Sequence, residues 1–206
     1  MLAIVDLGIG NIGSVAKALD YLKVKYQIIV NPNDLSKASK IVLPGVGSFA
    51  EAVTRLDLSG FRSALLESVY MRNTPILGIC VGMQLLSLFG TEGGDSKGLG
   101  FINAYVDKID DFNGRLVIPH MGWNELSSID HPLFRNVHKD ACFYFVHSYA
   151  MQISDKAESN LEVIYTDYEQ PVVAFVAKNH IYGAQFHPEK SQQPGLTFLR
   201  NFVELC

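Results

Sequence analysis

A cysteine set between two glycines is the feature of this sequence best suited to chemistry. Gly78-Ile79-Cys80-Val81-Gly82 joins an apolar run, Thr74–Ile79, to an amphipathic stretch that begins Met83-Gln84-Leu85-Leu86. G-x-nucleophile-x-G is the pattern of a nucleophile elbow, in which a tight strand-to-helix turn lifts one side chain into a site. Glycine two residues either side lets neighbouring backbone pass where a Cβ would clash. A helix N-terminus favours thiolate over thiol, and the N–H of Val81 can meet a developing oxyanion. An isolated free cysteine is usually a buried structural residue; the paired glycines and the strand-to-helix context reverse those odds here.

A cysteine nucleophile needs a base, and the base needs an orienting group. Phe186-His187-Pro188-Glu189 follows a strand-like Ile181–Gln185. Pro188 disfavours helical geometry at His187, and side chains two apart on an extended segment point the same way. Glu189 is therefore placed to hold the His187 imidazole in one tautomer and to stabilise its imidazolium. His147, in Tyr144-Phe145-Val146-His147-Ser148-Tyr149, is the rival base. It has no carboxylate at a matching spacing, so a binding or structural role is expected. His120, in Pro119-His120-Met121-Gly122-Trp123, is weighted towards positioning or partner contact, and His131, His138 and His180 towards solvated turns. No HExxH or CxxC spacing occurs, so neither a metal nor a cofactor is expected.

Two glycine-rich turns compete for a role. Gly8-Ile9-Gly10-Asn11-Ile12-Gly13 fits GxGxxG between a strand and a helix, the setting of a dinucleotide fingerprint. The second strand, however, ends in Asn31 where an acidic ribose ligand would stand, so a plain turn is preferred. A nucleotide-dependent oxidoreductase and a non-catalytic binding subunit stay as lower-ranked alternatives. Pro44-Gly45-Val46-Gly47-Ser48 is either a loop or a set of peptide N–H groups that completes an oxyanion hole.

These groups need a scaffold, and the first half supplies the pattern of a parallel sheet wrapped by helices. Strands are expected at residues 2–6, 26–30, 41–43 and 75–79, and helices at 12–23, 60–72 and 83–89. Short β-rich segments follow at 101–106, 115–118, 142–146, 163–166, 172–176 and 181–184, reading as antiparallel additions before a last helix over 195–205. Without repeat or linker, residues 1–206 read as a single α/β domain. Of the 206 residues 48% are hydrophobic and 18% charged, with a net charge of −4, which describes a globular chain and argues against nucleic-acid binding. No apolar run nears the roughly 18 residues of a membrane span. The start MLAIVD lacks a signal peptide's basic region. The three cysteines make no disulfide framework, so a cytoplasmic location is expected.

DLGIGN, LPGVGSF, GICVGMQLL, KGLGFI, IPHMGWNEL, YFVHSY and QFHPEKSQ together resemble the class I (triad) glutamine amidotransferases along nearly the whole chain. The likeness is greatest to the branch serving as glutaminase subunits in histidine biosynthesis. It implies a flavodoxin-like fold, a central mostly parallel sheet with added antiparallel strands. It implies hydrolysis of L-glutamine by Cys80, His187 and Glu189, with oxyanion donors from Val81 and the Gly45, Val46 and Gly47 turn. Gly82, Gln84, Glu92, Ser148 and Tyr149 match positions that hold glutamine. Asn11, His120, Met121, Trp123, Tyr144 and Lys190 match positions facing a (βα)8-barrel synthase/cyclase subunit, the heterodimer partner that receives ammonia. Leu7 and Gly13 stand where the family usually has Tyr and commonly a basic residue, near the expected partner surface. Similar subunits feed sugar amidation in surface-polysaccharide synthesis, which is the alternative destination for the ammonia.

Overall fold

Apolar runs that are buried on both faces line up as parallel strands, and the rest of the chain is arranged around them. The computed structural model describes residues 1–153 and 160–206. In chain order the elements are β1 (Leu2–Val5), α1 (Ile12–Tyr21), β2 (Tyr26–Ile29), β3 (Lys40–Gly45), α2 (Phe49–Leu58) and α3 (Phe61–Leu66). There follow β4 (Ile76–Cys80), α4 (Val81–Gln84), β5 (Phe89–Gly90), β6 (Ser96–Lys97), β7 (Ala104–Lys108), β8 (His120–Glu125) and β9 (Cys142–His147). The chain closes with β10 (Tyr149–Ile153), β11 (Leu161–Asp167), β12 (Pro171–Lys178), β13 (Ile181–Ala184) and α5 (Gln192–Leu205).

The main sheet runs β11-β12-β13-β4-β3-β1-β2. β2, β1, β3, β4 and β13 are parallel, in the order of a flavodoxin-like sheet, and β12 and β11 extend it antiparallel. Two smaller sheets, β10-β7-β5-β6 and the β8-β9 pair, bring further segments to the same end of the molecule as the elbow. Val5, Val42, Leu43, Leu77 and Ile79 are at most 1% exposed, as expected for strands covered by helices on both faces.

Several expectations shift. α2 is an additional helix, capped by Ser48, which accepts from Glu51 N, and the apolar phase Phe49, Ala52, Val53, Leu56 is helical. The expected helix over 83–89 is a single turn ending at Gln84. The carbonyls of Leu85, Leu86 and Ser87 accept from Leu99, Ile102 and Gly100, and Phe89 joins β5. Its apolar spacing is satisfied by a buried turn, with Leu85 and Leu86 wholly inside. The strand expected at 101–106 is displaced to Ala104–Lys108, and 115–118 is not a strand; pairing begins instead at His120.

Close backbone approach locks the elbow to the neighbouring strand. A Cβ at Gly82 would lie 1.8 Å from the Leu43 carbonyl oxygen, and one at Gly78 2.5 Å from that of Gly82. One at Gly45 would sit 2.7 Å from Gly82 N. By contrast, Gly13 is exposed within α1 with nothing near its Cβ position. Gly82→Ala is therefore expected to cost about 3 kcal/mol or more through overpacking. Gly13→Ala should add roughly 0.4–1 kcal/mol by restricting the unfolded chain. Urea unfolding midpoints of the two variants, moving in opposite directions, check both.

Candidate active site

Three strand ends meet at the site. β4 ends on Cys80, and the register pairs Cys80 with Gly45 at the end of β3. On the other side β13 pairs Ala184 with Ile79 and then leads into Gln185-Phe186-His187. Cys80 has φ 54° and ψ −113°, a conformation that costs energy in a residue with a Cβ and persists only where packing dictates it. Its side chain is held at the mouth of a buried turn, 3% exposed.

His187 is fixed along its whole length. Its backbone N–H donates to the Tyr144 carbonyl at 2.8 Å, and its own carbonyl accepts from Ser191 Oγ at 2.7 Å. Ser191 Oγ in turn accepts from Tyr144 N at 2.9 Å, tying β9 to the same segment. Nδ1 lies 2.8 Å from Glu189 Oε1, with the two side chains 2% and 1% exposed. A carboxylate only accepts, so Nδ1 carries the proton and Nε2 is left for Cys80. Nε2 is buried and has no formed hydrogen bond among the described residues. Burial by itself would lower the His187 pKa. The neighbouring Cys80 sulfur and the Glu189 carboxylate, which is hydrogen-bonded to Nδ1, outweigh it and push the value up to about 9. An imidazolium beside a sulfur nucleophile is the state these contacts favour.

A cavity of about 210 Å3 opens above Cys80. Val46, Gly47 and Val81 line one side, and Gln84, Glu92, Ser148, Tyr149, His187 and Lys190 the others. Gly45 and Gly82 stand behind it, packed against one another. Gln84 Nε2 donates to the Tyr149 carbonyl at 2.9 Å, while its Oε1 is buried with no partner among the described residues, an acceptor available to a bound molecule. Burial raises the Glu92 pKa against the hydrogen bond from Phe49 N, which Oε2 accepts at 3.0 Å.

His147 also lines the cavity, and its tautomer can be deduced. Nδ1 lies 2.9 Å from the Tyr149 carbonyl, which can only accept, so Nδ1 bears the hydrogen. Nε2 must then accept from His120 Nδ1 at 3.2 Å. Burial lowers the His147 pKa to about 3, helped by His120 and His187 and opposed by the Tyr149 carbonyl. Burial likewise lowers His120 to about 4. A base held neutral in this way, with its free lone pair already used, is a structural member of the wall.

The residues matched to a partner surface divide. Met121 and Trp123 are 61% and 48% exposed on β8. Trp123 meets Tyr144 edge-on, with 5.7 Å between ring centroids, and Lys190 Nζ lies 5.6 Å from the Tyr144 ring. Asn11 caps α1, its side chain accepting from Ser14 N. His120, however, is 2% exposed, stacked between Phe145 and Tyr168. Leu7 is also buried, at 5%, so it packs in the core, whereas Gly13 is exposed. His131 and His180 are not solvated turn residues. His131 Nδ1 accepts from Leu133 N and its ring packs on Phe175, while His180 Nε2 donates to the Val69 carbonyl. His138 is exposed, as expected.

One residue near the sulfur escaped the sequence reading. Gln185 is wholly buried with its Nε2 3.7 Å from Cys80 Sγ. Gln185 and His187 stand two apart on the extended chain after β13, whereas Glu189 lies beyond them in a 3-10 turn, Pro188–Lys190, so the expected extended run ends at His187.

The class-I glutamine amidotransferase family matches residues 3–206. An imidazole glycerol phosphate synthase subunit HisH 1 from Campylobacter jejuni is 47% identical over 100% of both chains. A HisH subunit from Leptospira interrogans is 41% identical, again over 100% of each. Among solved structures, a glutamine amidotransferase from Thermotoga maritima superimposes with a TM-score of 0.66 at 15% identity. That match covers 98% of this chain and 96% of the other, and it speaks for the fold alone. Fold, elbow and full-length likeness agree: the chain belongs to the class-I glutamine amidotransferase family, among relatives that are HisH subunits of imidazole glycerol phosphate synthase.

Proposed function

We propose that this chain is the glutaminase subunit of an imidazole glycerol phosphate synthase, hydrolysing L-glutamine to glutamate and ammonia at Cys80. The observation that carries the reading is the buried Cys80–His187–Glu189 arrangement at the floor of a cavity large enough for one amino acid. The thiolate attacks the side-chain carboxamide carbon, and the carbonyl electrons move onto oxygen. N–H groups from Val81 and the Gly45-Val46-Gly47 turn stabilise that oxyanion, an effect worth roughly 3–4 kcal/mol per donor. His187, protonated at Nε2, gives its proton to the departing ammonia as the C–N bond breaks. It then takes a proton from water, whose oxygen displaces the glutamyl group from sulfur and restores Cys80. Glu92, Gln84, Ser148 and Tyr149 supply polar groups for the amino-acid end of the substrate.

Full-length likeness to HisH subunits supports delivery of the ammonia to a synthase/cyclase partner of (βα)8-barrel form in histidine biosynthesis. Met121, Trp123, Tyr144 and Lys190 form the candidate docking face, and Asn11 lies on the same matched set of positions. His120 would act there from behind the surface, by holding β8 and Tyr168 in place. The matched region spans residues 3–206, and the site draws on strands from both halves, which supports one glutaminase unit throughout. No helix among the described residues is long and apolar enough to cross a membrane.

Cys80→Ala should lower glutamate release by about 10^4-fold or more, as loss of a nucleophile does elsewhere. Glutamine-dependent turnover that survives this change would sink the mechanism. Acylation requires an imidazolium, so first-turnover ammonia release should hold through neutral pH and fall as pH rises through about 9. Glu189→Gln removes a group that raises this pKa, and should move the fall towards neutrality while slowing turnover by roughly 10^2- to 10^4-fold. Co-purification with a native partner, with glutamate release measured in the presence of histidine-pathway or amino-sugar acceptors, decides where the ammonia goes. Stimulation by a sugar-amidating partner alone would overturn the histidine-pathway reading.

A further inference from the structure

α4 is one turn long, too short to bring a full helix dipole to the Cys80 sulfur. Thiolate support must come from nearer groups, and a chain of amides reaches the sulfur from the side of the pocket wall. It begins at the Tyr149 carbonyl, which can only accept a hydrogen bond. Gln84 must therefore turn its amide nitrogen to Tyr149, at 2.9 Å. That same nitrogen lies 3.1 Å from the Gln185 side chain, so the atom of Gln185 facing it must be Oε1. The amide has only one other terminal atom, Nε2, and that is the one 3.7 Å from Cys80 Sγ. The direction of every bond follows from one peptide carbonyl. Both glutamines are buried, at 2% and 0% exposure, so water does not compete for them.

We propose that Gln185 is a catalytic residue whose side-chain amide donates to the Cys80 sulfur and favours its thiolate, with Gln84 and the Tyr149 carbonyl holding that donor in place. The proposal rests on the reading of Cys80 as the nucleophile. A thiolate accepts a hydrogen bond far more strongly than a thiol, so a fixed N–H stabilises the charged form selectively. When the thiol proton passes to His187 Nε2, the electron pair left on sulfur faces a donor on the Gln185 side as well as the imidazolium. Gln185, His187 and Glu189 then act from one short stretch of chain, in which the extended residues after β13 run into the 3-10 turn Pro188–Lys190. The first touches sulfur, the second carries the proton, and the third orients the second.

The test is the pH dependence of Cys80 alkylation by iodoacetamide in the full chain, followed by mass spectrometry of the Cys80 peptide so that Cys142 and Cys206 do not interfere. Gln185→Leu should move the midpoint of thiolate reactivity up by about one to two pH units, the effect of removing one hydrogen bond to a charge. Gln185→Glu, nearly the same size, should move it in the same direction, because a carboxylate cannot donate. Gln84→Met, which frees the Gln185 amide to rotate, should give a smaller upward shift. It also serves as the test if Gln185→Leu does not fold. A folded Gln185 variant whose turnover falls while its alkylation midpoint stays at the wild-type value would overturn the proposal and leave Gln185 a packing residue. A wild-type Cys80 that resists alkylation at every pH would instead count against the nucleophile itself.

Discussion

Gly82 packs so tightly on the Leu43 carbonyl that no side chain fits between them, and that contact sets the position of everything catalytic. It draws the elbow under the end of β3, which brings Val46 and Gly47 over Cys80. It also forces Cys80 into its positive-φ conformation, the only way for β4 to turn at once into α4 without lifting off its neighbour. The strain is local, whereas the restraint comes from a seven-stranded sheet. Parallel strands buried on both faces resist displacement as a block, so a costly backbone geometry can be held without many side-chain contacts at the cysteine itself.

Electrostatics then complete what packing begins. Glu189 is a carboxylate almost without solvent, and such a group is tolerable only when a cation or donor faces it. His187 is that partner. The Ser191 hydroxyl, bridging the His187 carbonyl and Tyr144 N, prevents the pair from swinging apart. Backbone rigidity and charge pairing therefore reinforce one another across β9, β13 and the segment before α5.

The elbow, the strands beneath it and the His187–Glu189 pair were legible because each depends on local features: glycine spacing, apolar runs and closeness in sequence, although Glu189 reaches His187 from a 3-10 turn and not from the extended chain expected. α2 was not read, although Ser48 and Glu51 stand in the spacing of a capping box, a signal that the glycine turn before it obscured. The single turn at α4 was not legible, because its end is set by hydrogen bonds from residues 99–102, distant in sequence from the pattern that suggested a helix. The same holds for Gln84 and Gln185. Their bond joins residues 101 positions apart, and no periodicity carries it. The burial of Leu7 and His120, expected near a surface, likewise depends on elements that cover them from elsewhere in the chain.

His147 in the cavity wall and His120 behind it give that side of the pocket an unusual proton inventory. Burial lowers the pKa of His120 to about 4 and that of His147 to about 3, so both rings are held neutral at pH 7. Each N–H of the pair that faces inward is already committed, one to a lone pair and the other to a peptide carbonyl. Such a wall offers no acid strong enough to convert a passing amine to its ammonium. Ammonia leaving the His187 side of the pocket would keep its lone pair, and so its nucleophilicity, for as long as it stays against the His147 ring.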